Sequence, residues 1–228
     1  MQKKKMTDGY PFVHYTRETF DANAMIARST AFYEWLDLRR SVRDFTDQPV
    51  PREVIENIVK AASTAPSGAH KQPWTFCIVG DPELKKNIRE AAEAEERQSY
   101  ESRMSPEWLA DLRPLQTDWR KPFLTTAPWL IVVFKKIYEP GADGKTKKNV
   151  YYAQESCGLA CGFLLTAIHQ AGLVALTHTP SPMNFLSQLL QRPENEKPFL
   201  LIPVGYPADE CWVPDLQRKR LDEVAVFY

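Results

Sequence analysis

The chain has 228 residues, of which 43% are hydrophobic and 25% charged, so it is long enough to bury a substantial core. Its 29 lysines and arginines balance its 29 aspartates and glutamates, and a net charge of zero argues against a general nucleic-acid binder. No stretch approaches the roughly 20 apolar residues that cross a bilayer. The basic start at residues 1–6 is not followed by the apolar core of a secretory signal. We therefore expect no interaction with nucleic acid or with a membrane.

The four cysteines, Cys77, Cys157, Cys161 and Cys211, lack the paired spacing of a zinc site. Cys157 and Cys161 are one helical turn apart among small residues, which is typical of buried thiols. We therefore expect reduced cysteines, no metal site and a soluble protein of a reducing cytoplasm.

The pattern of apolar and turn residues predicts the following elements in chain order. The first half should contain an extended arm over 1–20, a helix over about 22–40, a helix opening at 50–53, a loop over 64–73, a strand over 74–79 and a helix from 81 to about 102. The second half should contain a charged and aromatic segment over about 103–122, a strand over 129–134, a loop over 141–148, a helix over 151–171, strands over 173–177 and 199–204 with a short helix near 184–191 between them, and an extended tail from 207.

Two of these segments leave alternatives open. The segment over 103–122 has the composition of a surface lid, and a plain exposed helix–loop is equally consistent with it. The helix over 151–171 is apolar on most sides and rich in small residues, which suits either a buried central helix or a subunit interface. The mixed order of elements indicates one α/β or α+β domain.

Three arginines, Arg39, Arg40 and Arg43, surround the hydroxyl of Ser41 within five residues. Guanidinium groups present forked donors that match phosphate oxygens, so this cluster predicts a pocket for a dianionic phosphate, with a solvated basic face as the alternative. A second basic run at 218–220 is by itself typical of a solvated turn, but the two runs can share one site if the termini meet. The glycine patterns of dinucleotide and Walker phosphate loops are absent, so arginine side chains would hold the phosphate.

These segments resemble the nitroreductase superfamily of flavin proteins, and within it the enzymes that remove halogens from halotyrosines. The resemblance covers about residues 31–226 and is carried by Arg39-Arg40-Ser41-Val42-Arg43, Ala65-Pro66-Ser67-Gly68-Ala69-His70, Pro73-Trp74-Thr75-Phe76, Leu201-Ile202-Pro203-Val204-Gly205-Tyr206-Pro207, and Val213-Pro214-Asp215-Leu216 with Arg218-Lys219. It implies a nitroreductase-like α+β fold, with a central mixed β-sheet flanked by helices, in a domain-swapped homodimer whose subunits both contribute to each flavin site. The single FMN-binding domain over 1–228 would have an N-terminal arm at 1–20, an active-site lid at about 96–121 and a C-terminal extension at 207–228.

The resemblance also implies roles for residues around the FMN cofactor. The contacts to the FMN phosphate and ring are matched by Arg39, Arg40, Ser41, Arg43 and Arg218, and the loop along the flavin ring by Pro66, Ser67 and Gly68. Thr179 matches the catalytic threonine whose hydroxyl hydrogen-bonds flavin N5 and supports one-electron flavin chemistry. By sequence alone, Thr179 reads as a strand-end threonine. His178 reads as a packed or edge histidine, and we expect no catalytic role for it.

Glu96, Tyr100 and Lys121 match the residues that bind the substrate zwitterion in the halotyrosine branch. Glu96 and Tyr100 are four residues apart on one predicted helix and therefore share a face. A carboxylate can accept from an ammonium group, while a phenol and a lysine can donate to a carboxylate. The backbone N–H of Ala69 matches the donor to the substrate phenolate. Without the resemblance, an ordinary surface Glu–Tyr pair and a surface lysine are the simpler interpretation.

The implied function is FMN-dependent reductive dehalogenation of 3-iodotyrosine, 3,5-diiodotyrosine and the bromo and chloro analogues, giving tyrosine and halide. The electron donor would be NAD(P)H or an unidentified reductase. Animal members carry an N-terminal membrane anchor that this sequence does not contain, which implies a soluble homologue. Two alternatives remain: a general NAD(P)H-dependent nitroreductase or quinone reductase, and a flavoprotein that binds halotyrosine without turnover.

Overall fold

A computed structural model describes residues 3–228. It divides into two compact units, the chain up to Leu38 and Arg39–Tyr228. Among the described residues, none of the helices is both long and apolar enough to cross a membrane. In the same part of the chain, no group of three or more His, Cys, Asp or Glu side chains is placed to hold a metal ion.

The first unit contains a hairpin and a helix: β1 (Lys4–Thr7), β2 (Tyr10–Val13) and α1 (Ala22–Asp37). The hairpin corrects the prediction of a plain extended arm over 1–20. Asp8 and Gly9 form its turn with φ of 51° and 84°, a left-handed geometry that Asp-Gly pairs favour. The helix begins at the Asp21 cap, whose side chain accepts from the Ala24 N–H at 2.8 Å, and it ends three residues before the predicted boundary at 40.

The second unit contains the sheet and the remaining helices. Its helices are α2 (Arg52–Ala62), α3 (Pro82–Gln98), α4 (Pro106–Leu112), α5 (Phe123–Thr126), α6 (Ala153–Gln170), α7 (Asn184–Leu189) and α8 (Leu221–Val224). Its strands are β3 (Trp74–Val79), β4 (Trp129–Lys136), β5 (Tyr138–Pro140), β6 (Lys147–Asn149), β7 (Val174–Ala175) and β8 (Glu196–Gly205). Short 3₁₀ turns lie at Gly68–His70 and Arg113–Leu115, and a π-helical turn lies at Ser99–Arg103.

A four-stranded sheet with the order β3-β4-β8-β7 forms the centre of this unit, and its paired neighbours are antiparallel. Ser41 adds a parallel bridge to Ala175, which makes the sheet mixed. Helices cover both faces. Alternate residues of β4 therefore enter two different cores: Leu130 and Val132 pack with Ile88 of α3, and Ile131 and Val133 pack with Leu164 of α6. The predicted α+β fold with a mixed, helix-flanked sheet is confirmed.

Several predicted boundaries were wrong for local reasons. The helix expected to reach about 102 changes to a π-helical turn after Gln98. The predicted loop over 141–148 connects the two strands of a small hairpin, β5–β6, and its last two residues belong to β6. The chain folds back at Gly144, where φ is 67°. The strand expected over 173–177 pairs with β8 only at Val174 and Ala175, while His178 makes an isolated bridge to Leu201.

Candidate active site

The two basic runs meet in a cavity of about 380 Å³, here called the arginine cavity. It is lined by Arg39, Arg40, Ser41, Arg43, Leu115, Pro214, Leu216, Gln217 and Arg218. A guanidinium nitrogen of Arg218 donates to the carbonyl of Arg39 at 2.9 Å, and Arg40 donates to the carbonyl of Pro214. These bonds tie together segments more than 170 residues apart, so the structure brings the predicted phosphate ligands to one place.

The arginine cavity is electrostatically suited to an anion. Four of its lining residues carry guanidinium groups, and no carboxylate is among them. The pKa of Arg39 is lowered by burial and then by repulsion from Arg218 and Arg40. A bound dianion would relieve this repulsion and accept the available donors.

A second cavity of about 220 Å³, here called the Glu96 cavity, shares Arg43 with the first. It is lined by Arg43, Glu96, Ser99, Tyr100, Met104, Trp108, Leu112, Thr117, Lys121, Phe123, Leu176, Thr177, His178, Thr179 and Ser181. Because Arg43 lines both spaces, one elongated ligand can place an anionic end in the arginine cavity and a ring system at the Glu96 cavity.

Glu96 and Lys121 form a buried ion pair in the wall of this second cavity. The carboxylate and ammonium groups are 3.4 Å apart, with side-chain exposures of only 10% and 5%. Burial raises the pKa of Glu96 and lowers the pKa of Lys121, and the attraction between the two groups opposes both shifts. The Tyr100 ring lies 5.6 Å from the Lys121 ammonium, and its hydroxyl donates to the carbonyl of Thr117 at 3.2 Å. The three predicted zwitterion-binding residues therefore lie together.

Lys121 is positioned by residues that the sequence did not single out. Its ammonium group donates to the hydroxyl of Thr117 at 3.3 Å and to the carbonyl of Asp118. Its backbone N–H donates to the carboxylate of Glu93, one turn before Glu96 on α3, at 2.7 Å. A charged segment with weak periodicity gives no sequence signal for these bonds, because the partners are set by the turn between Thr117 and Lys121.

Met104, Trp108 and Leu112 add apolar side chains to the lining of the Glu96 cavity. All three come from the 103–122 segment, for which the sequence left a lid or a plain helix–loop open. Trp108 and Leu112 lie four residues apart on α4 and thus on one face. The π-helical turn at Ser99–Arg103 joins α3 to this covering segment, and such turns are frequent at functional sites.

Thr179 also lines the Glu96 cavity, and the bridge of His178 to β8 fixes its place. The backbone N–H of His178 donates to Leu201 at 2.9 Å, and its carbonyl accepts from Leu201 at 3.0 Å. The His178 side chain is buried, as expected for a packed edge histidine, while the flanking Thr177 and Thr179 are exposed. Burial, followed by Lys121 and Arg43, lowers the pKa of His178 to about 3, so the imidazole is neutral. Sequence reasoning missed that this ring lines the cavity, because a lone histidine between two threonines carries no signal.

The loop with Pro66, Ser67, Gly68 and Ala69 is not among the residues that line either cavity. Its backbone is nevertheless tightly specified. Ala69 lies in the left-handed region with φ of 48°, and a Cβ on Gly68 would lie 2.7 Å from the Tyr151 carbonyl oxygen. The N–H of Gln72 donates to the Ser67 hydroxyl at 2.9 Å. In a single chain, the arginine cavity and the Glu96 cavity share Arg43, but the loop over 66–69 lines neither of them.

A family model described as the nitroreductase family matches residues 36–206. The chain belongs to the nitroreductase family. This range contains the predicted site residues from Arg39 to Thr179, and Arg218 lies beyond it.

Within this family, the chain is similar to proteins named iodotyrosine deiodinase. It is 63% identical to the one from Haliscomenobacter hydrossis, across 95% of this chain and 97% of that relative. It is 46% identical to iodotyrosine deiodinase 1 from Homo sapiens, across 99% of this chain and 77% of that relative. A crystal structure of oxidized iodotyrosine deiodinase bound to FMN and 3-iodo-L-tyrosine superposes with a TM-score of 0.71 at 35% identity, covering 86% of this chain and 98% of that one. The predicted resemblance to the halotyrosine branch is confirmed.

Proposed function

We propose that this protein is an FMN-dependent oxidoreductase that removes the halogen from halogenated tyrosines. The observation that carries the proposal is the buried Glu96–Lys121 pair beside Tyr100, in a cavity that shares Arg43 with the arginine cavity. A general nitroreductase has no use for a paired acid and base of this kind, whereas an amino-acid zwitterion carries the two complementary charges. The relatives named iodotyrosine deiodinase support the same assignment.

The residues present fit FMN. The arginine cavity offers four guanidiniums and the Ser41 hydroxyl to a phosphate dianion, which would relieve the repulsion that Arg218 and Arg40 exert on Arg39. Arg43 lines both cavities, so Arg43 and Thr179 would hold a ring attached to that phosphate. When bound, FMN supplies electrons to the substrate one at a time. The hydroxyl of Thr179 would hydrogen-bond flavin N5.

The substrate zwitterion replaces the ion pair by two new pairs. The substrate ammonium binds Glu96, and the substrate carboxylate binds Lys121 and the Tyr100 hydroxyl. Glu96 and Lys121 are already buried, so the charged head group of the substrate forms strong charge-assisted hydrogen bonds with them. Each of these charges keeps a partner of opposite sign when the substrate binds. Trp108, Phe123 and their apolar neighbours surround the aromatic ring and exclude water.

The reaction breaks the carbon–halogen bond and forms a carbon–hydrogen bond. It consumes two electrons and one proton and releases a halide ion and tyrosine. The electrons come from NAD(P)H or from a reductase. A halogen beside the phenol lowers the phenol pKa, and the Ala69 N–H donates to the resulting phenolate oxygen and stabilises its charge. The segment over about 96–121 acts as the lid that closes the site.

We propose a domain-swapped homodimer because one chain does not bring all the predicted groups together. Pro66, Ser67, Gly68 and Ala69 lie outside both cavities, so the loop of one subunit would complete the flavin site of the other. Helix α6 exposes Leu159 and Phe163 to 49% and 44%. The tail after α8 ends in exposed Val226, Phe227 and Tyr228, which the C-terminal extension over 207–228 would place on the partner.

The cysteines support a reducing location. All four are free thiols, and burial raises the pKa of Cys157 to about 11 and of Cys161 to about 12. At neutral pH such buried thiols stay protonated and inert. We therefore propose that the protein acts in the cytoplasm.

The ion pair can be tested without leaving a buried charge unpaired. The double variant Glu96→Gln/Lys121→Met replaces both charges by neutral groups of similar volume, so the fold and bound FMN should be retained. We expect this variant to lose iodide release from 3-iodotyrosine while it still reduces nitroaromatics and quinones. Equal loss of all these activities would contradict the assignment. Iodotyrosine binding without iodide release in the reduced parent would instead favour a flavoprotein that only binds halotyrosine.

A further inference from the structure

His178 lines the Glu96 cavity, and its imidazole has an unsatisfied hydrogen-bonding atom. Its Nε2 is buried and has no hydrogen-bond partner among residues 3–228, although the side chain lines the cavity. Buried polar groups in folded proteins are nearly always paired, and an unpaired one opposes folding. The unpaired Nε2 of His178 is explained if a ligand in the Glu96 cavity supplies its hydrogen-bond partner.

Packing does not require an imidazole at this position. The ring of His178 meets the Phe123 ring edge-on, with centroids 5.7 Å apart, and a phenyl ring makes the same contact. The bridge to Leu201 uses only the backbone of His178 and is independent of its side chain. The unpaired Nε2 atom therefore destabilises the folded state, and the contacts of the ring within the described residues do not compensate for this.

Burial, followed by the nearby cations, lowers the pKa of His178 and keeps the imidazole neutral, and the proposed head-group ligands line the same cavity. Lys121 and Arg43 are the cations that act on it, and Glu96 lines the same cavity. A neutral imidazole has one donor and one acceptor nitrogen, so it can bind either end of a zwitterion. It does this without adding a third positive charge beside Lys121 and Arg43.

We propose that Nε2 of His178 hydrogen-bonds the amino-acid head group of the bound ligand, as a fourth recognition group beside Glu96, Tyr100 and Lys121. This inference rests on the proposed function. It makes His178 a specificity residue that distinguishes amino acids from simple halophenols. It also explains why the site tolerates an unsatisfied nitrogen before the ligand binds.

Three variants separate the hydrogen bond from packing. His178→Gln places an amide near the position of Nε2, His178→Asn places one near Nδ1, and His178→Phe keeps an aromatic ring without a polar atom. Each FMN-loaded variant is titrated with 3-iodotyrosine and with 2-iodophenol, which has the phenol and the halogen but no head group. The FMN affinity and the melting temperature of each apoprotein are measured in parallel.

We expect His178→Phe to weaken 3-iodotyrosine binding by about ten- to a hundredfold and to leave 2-iodophenol binding unchanged. His178→Gln should restore most of the 3-iodotyrosine affinity and His178→Asn little of it. The His178→Phe apoprotein should melt at the same or a higher temperature than the parent, so stability and affinity move in different directions.

Two results would overturn the inference and leave the proposed function standing. One is unchanged 3-iodotyrosine affinity in His178→Phe while the parent still releases iodide. The other is an equal loss for both ligands together with weaker FMN binding, which would assign Nε2 to the flavin. Failure of the parent itself to bind 3-iodotyrosine would contradict the proposed function, so the two failures are distinguishable.

Discussion

Glu96 is the residue on which recognition of the substrate ammonium depends in this account. Its carboxylate is buried beside Lys121, and an amide there cannot neutralise a positive charge. We expect Glu96→Gln to weaken 3-iodotyrosine binding by about ten- to a hundredfold, the range for a lost charge-assisted hydrogen bond. Quenching of flavin fluorescence measures the affinity. Glu90→Gln, an exposed site on the same helix, is the matched control and should bind like the parent; equal affinity in Glu96→Gln would exclude the zwitterion model.

His178 gives the stability of the protein a defined pH dependence. Its folded-state pKa of about 3 lies below the usual value of 6.5, so the folded protein binds this proton less readily than the unfolded chain. The stability advantage is therefore fully present above pH 6.5 and is lost as the pH falls from 6.5 towards 3. The loss should reach about 1.4 kcal/mol per pH unit within this window.

This pH dependence is measured by difference, because carboxylates titrate in the same range. The unfolding free energies of the parent and of His178→Gln are compared by urea denaturation between pH 7 and pH 4. The parent should lose stability relative to the variant as the pH falls. A constant difference across this range would show that the imidazole is not buried in its neutral form.

The element that supports the ion pair is the packing of α3 against α5, and Lys85 joins the two. Its buried ammonium group donates to the carbonyls of Ala127 at 2.8 Å and Thr125 at 3.2 Å, at the end of α5. Helix α3 also carries Glu96, and α5 begins just after Lys121. Lys85 therefore holds the two elements that flank the recognition site at a fixed distance.

We expect Lys85→Met to lower the free energy of unfolding by about 2–3 kcal/mol, because the buried carbonyl of Ala127 and the partly buried carbonyl of Thr125 lose a charged donor. Urea denaturation measures the change. Lys86→Met, at an exposed position on the same helix, should change the unfolding free energy by less than about 0.5 kcal/mol. Similar small changes in both variants would mean that solvent replaces the Lys85 bonds and that α5 does not depend on them.

The sequence predicted elements well where local chemistry determines them. The strand over 74–79 was predicted within its observed bounds, because an apolar run ends just before Asp81, whose side chain caps α3 by accepting from the Leu84 N–H at 2.7 Å. The hairpin β1–β2 was missed although its Asp8-Gly9 turn is a recognisable signal, because the flanking residues show no alternation. Strand β8 begins at Glu196, three residues before the predicted start, because its first residues pair with the end of β4. Such pairing is a tertiary property that periodicity does not contain.

In the candidate site, the sequence identified the charged and polar residues better than it identified the contacts that position them. Arg39 and Arg218 are 179 positions apart; the two basic runs made a shared site possible, and the resemblance to a family assigned both residues to it. The turn that holds Lys121 and the cavity-facing ring of His178 could not be predicted. Their roles depend on burial and on the partners available after folding, and single residue types do not encode either.

In the proposed homodimer, α6 should be the centre of the interface. Gly158 and Gly162 leave open space beside the exposed Leu159 and Phe163, so a second surface can approach the helix closely. We expect Phe163→Arg to convert the dimer to a monomer and to release FMN, because a charge would be buried in the interface. Analytical ultracentrifugation and the ratio of flavin to protein measure both effects. Phe163→Leu should stay dimeric, and a parent that is monomeric with FMN bound would contradict the proposed assembly.

Removal of halogen from a halotyrosine by the FMN-loaded protein can be measured in a single turnover. FMN-loaded protein is reduced with dithionite without oxygen and mixed with one equivalent of 3-iodotyrosine. Iodide and tyrosine are then quantified. We expect about one iodide and one tyrosine for each reduced FMN, because the reaction consumes two electrons. Recovery of intact 3-iodotyrosine, while the same reduced protein converts nitroaromatics, would show that the protein is a general nitroreductase and not a dehalogenase.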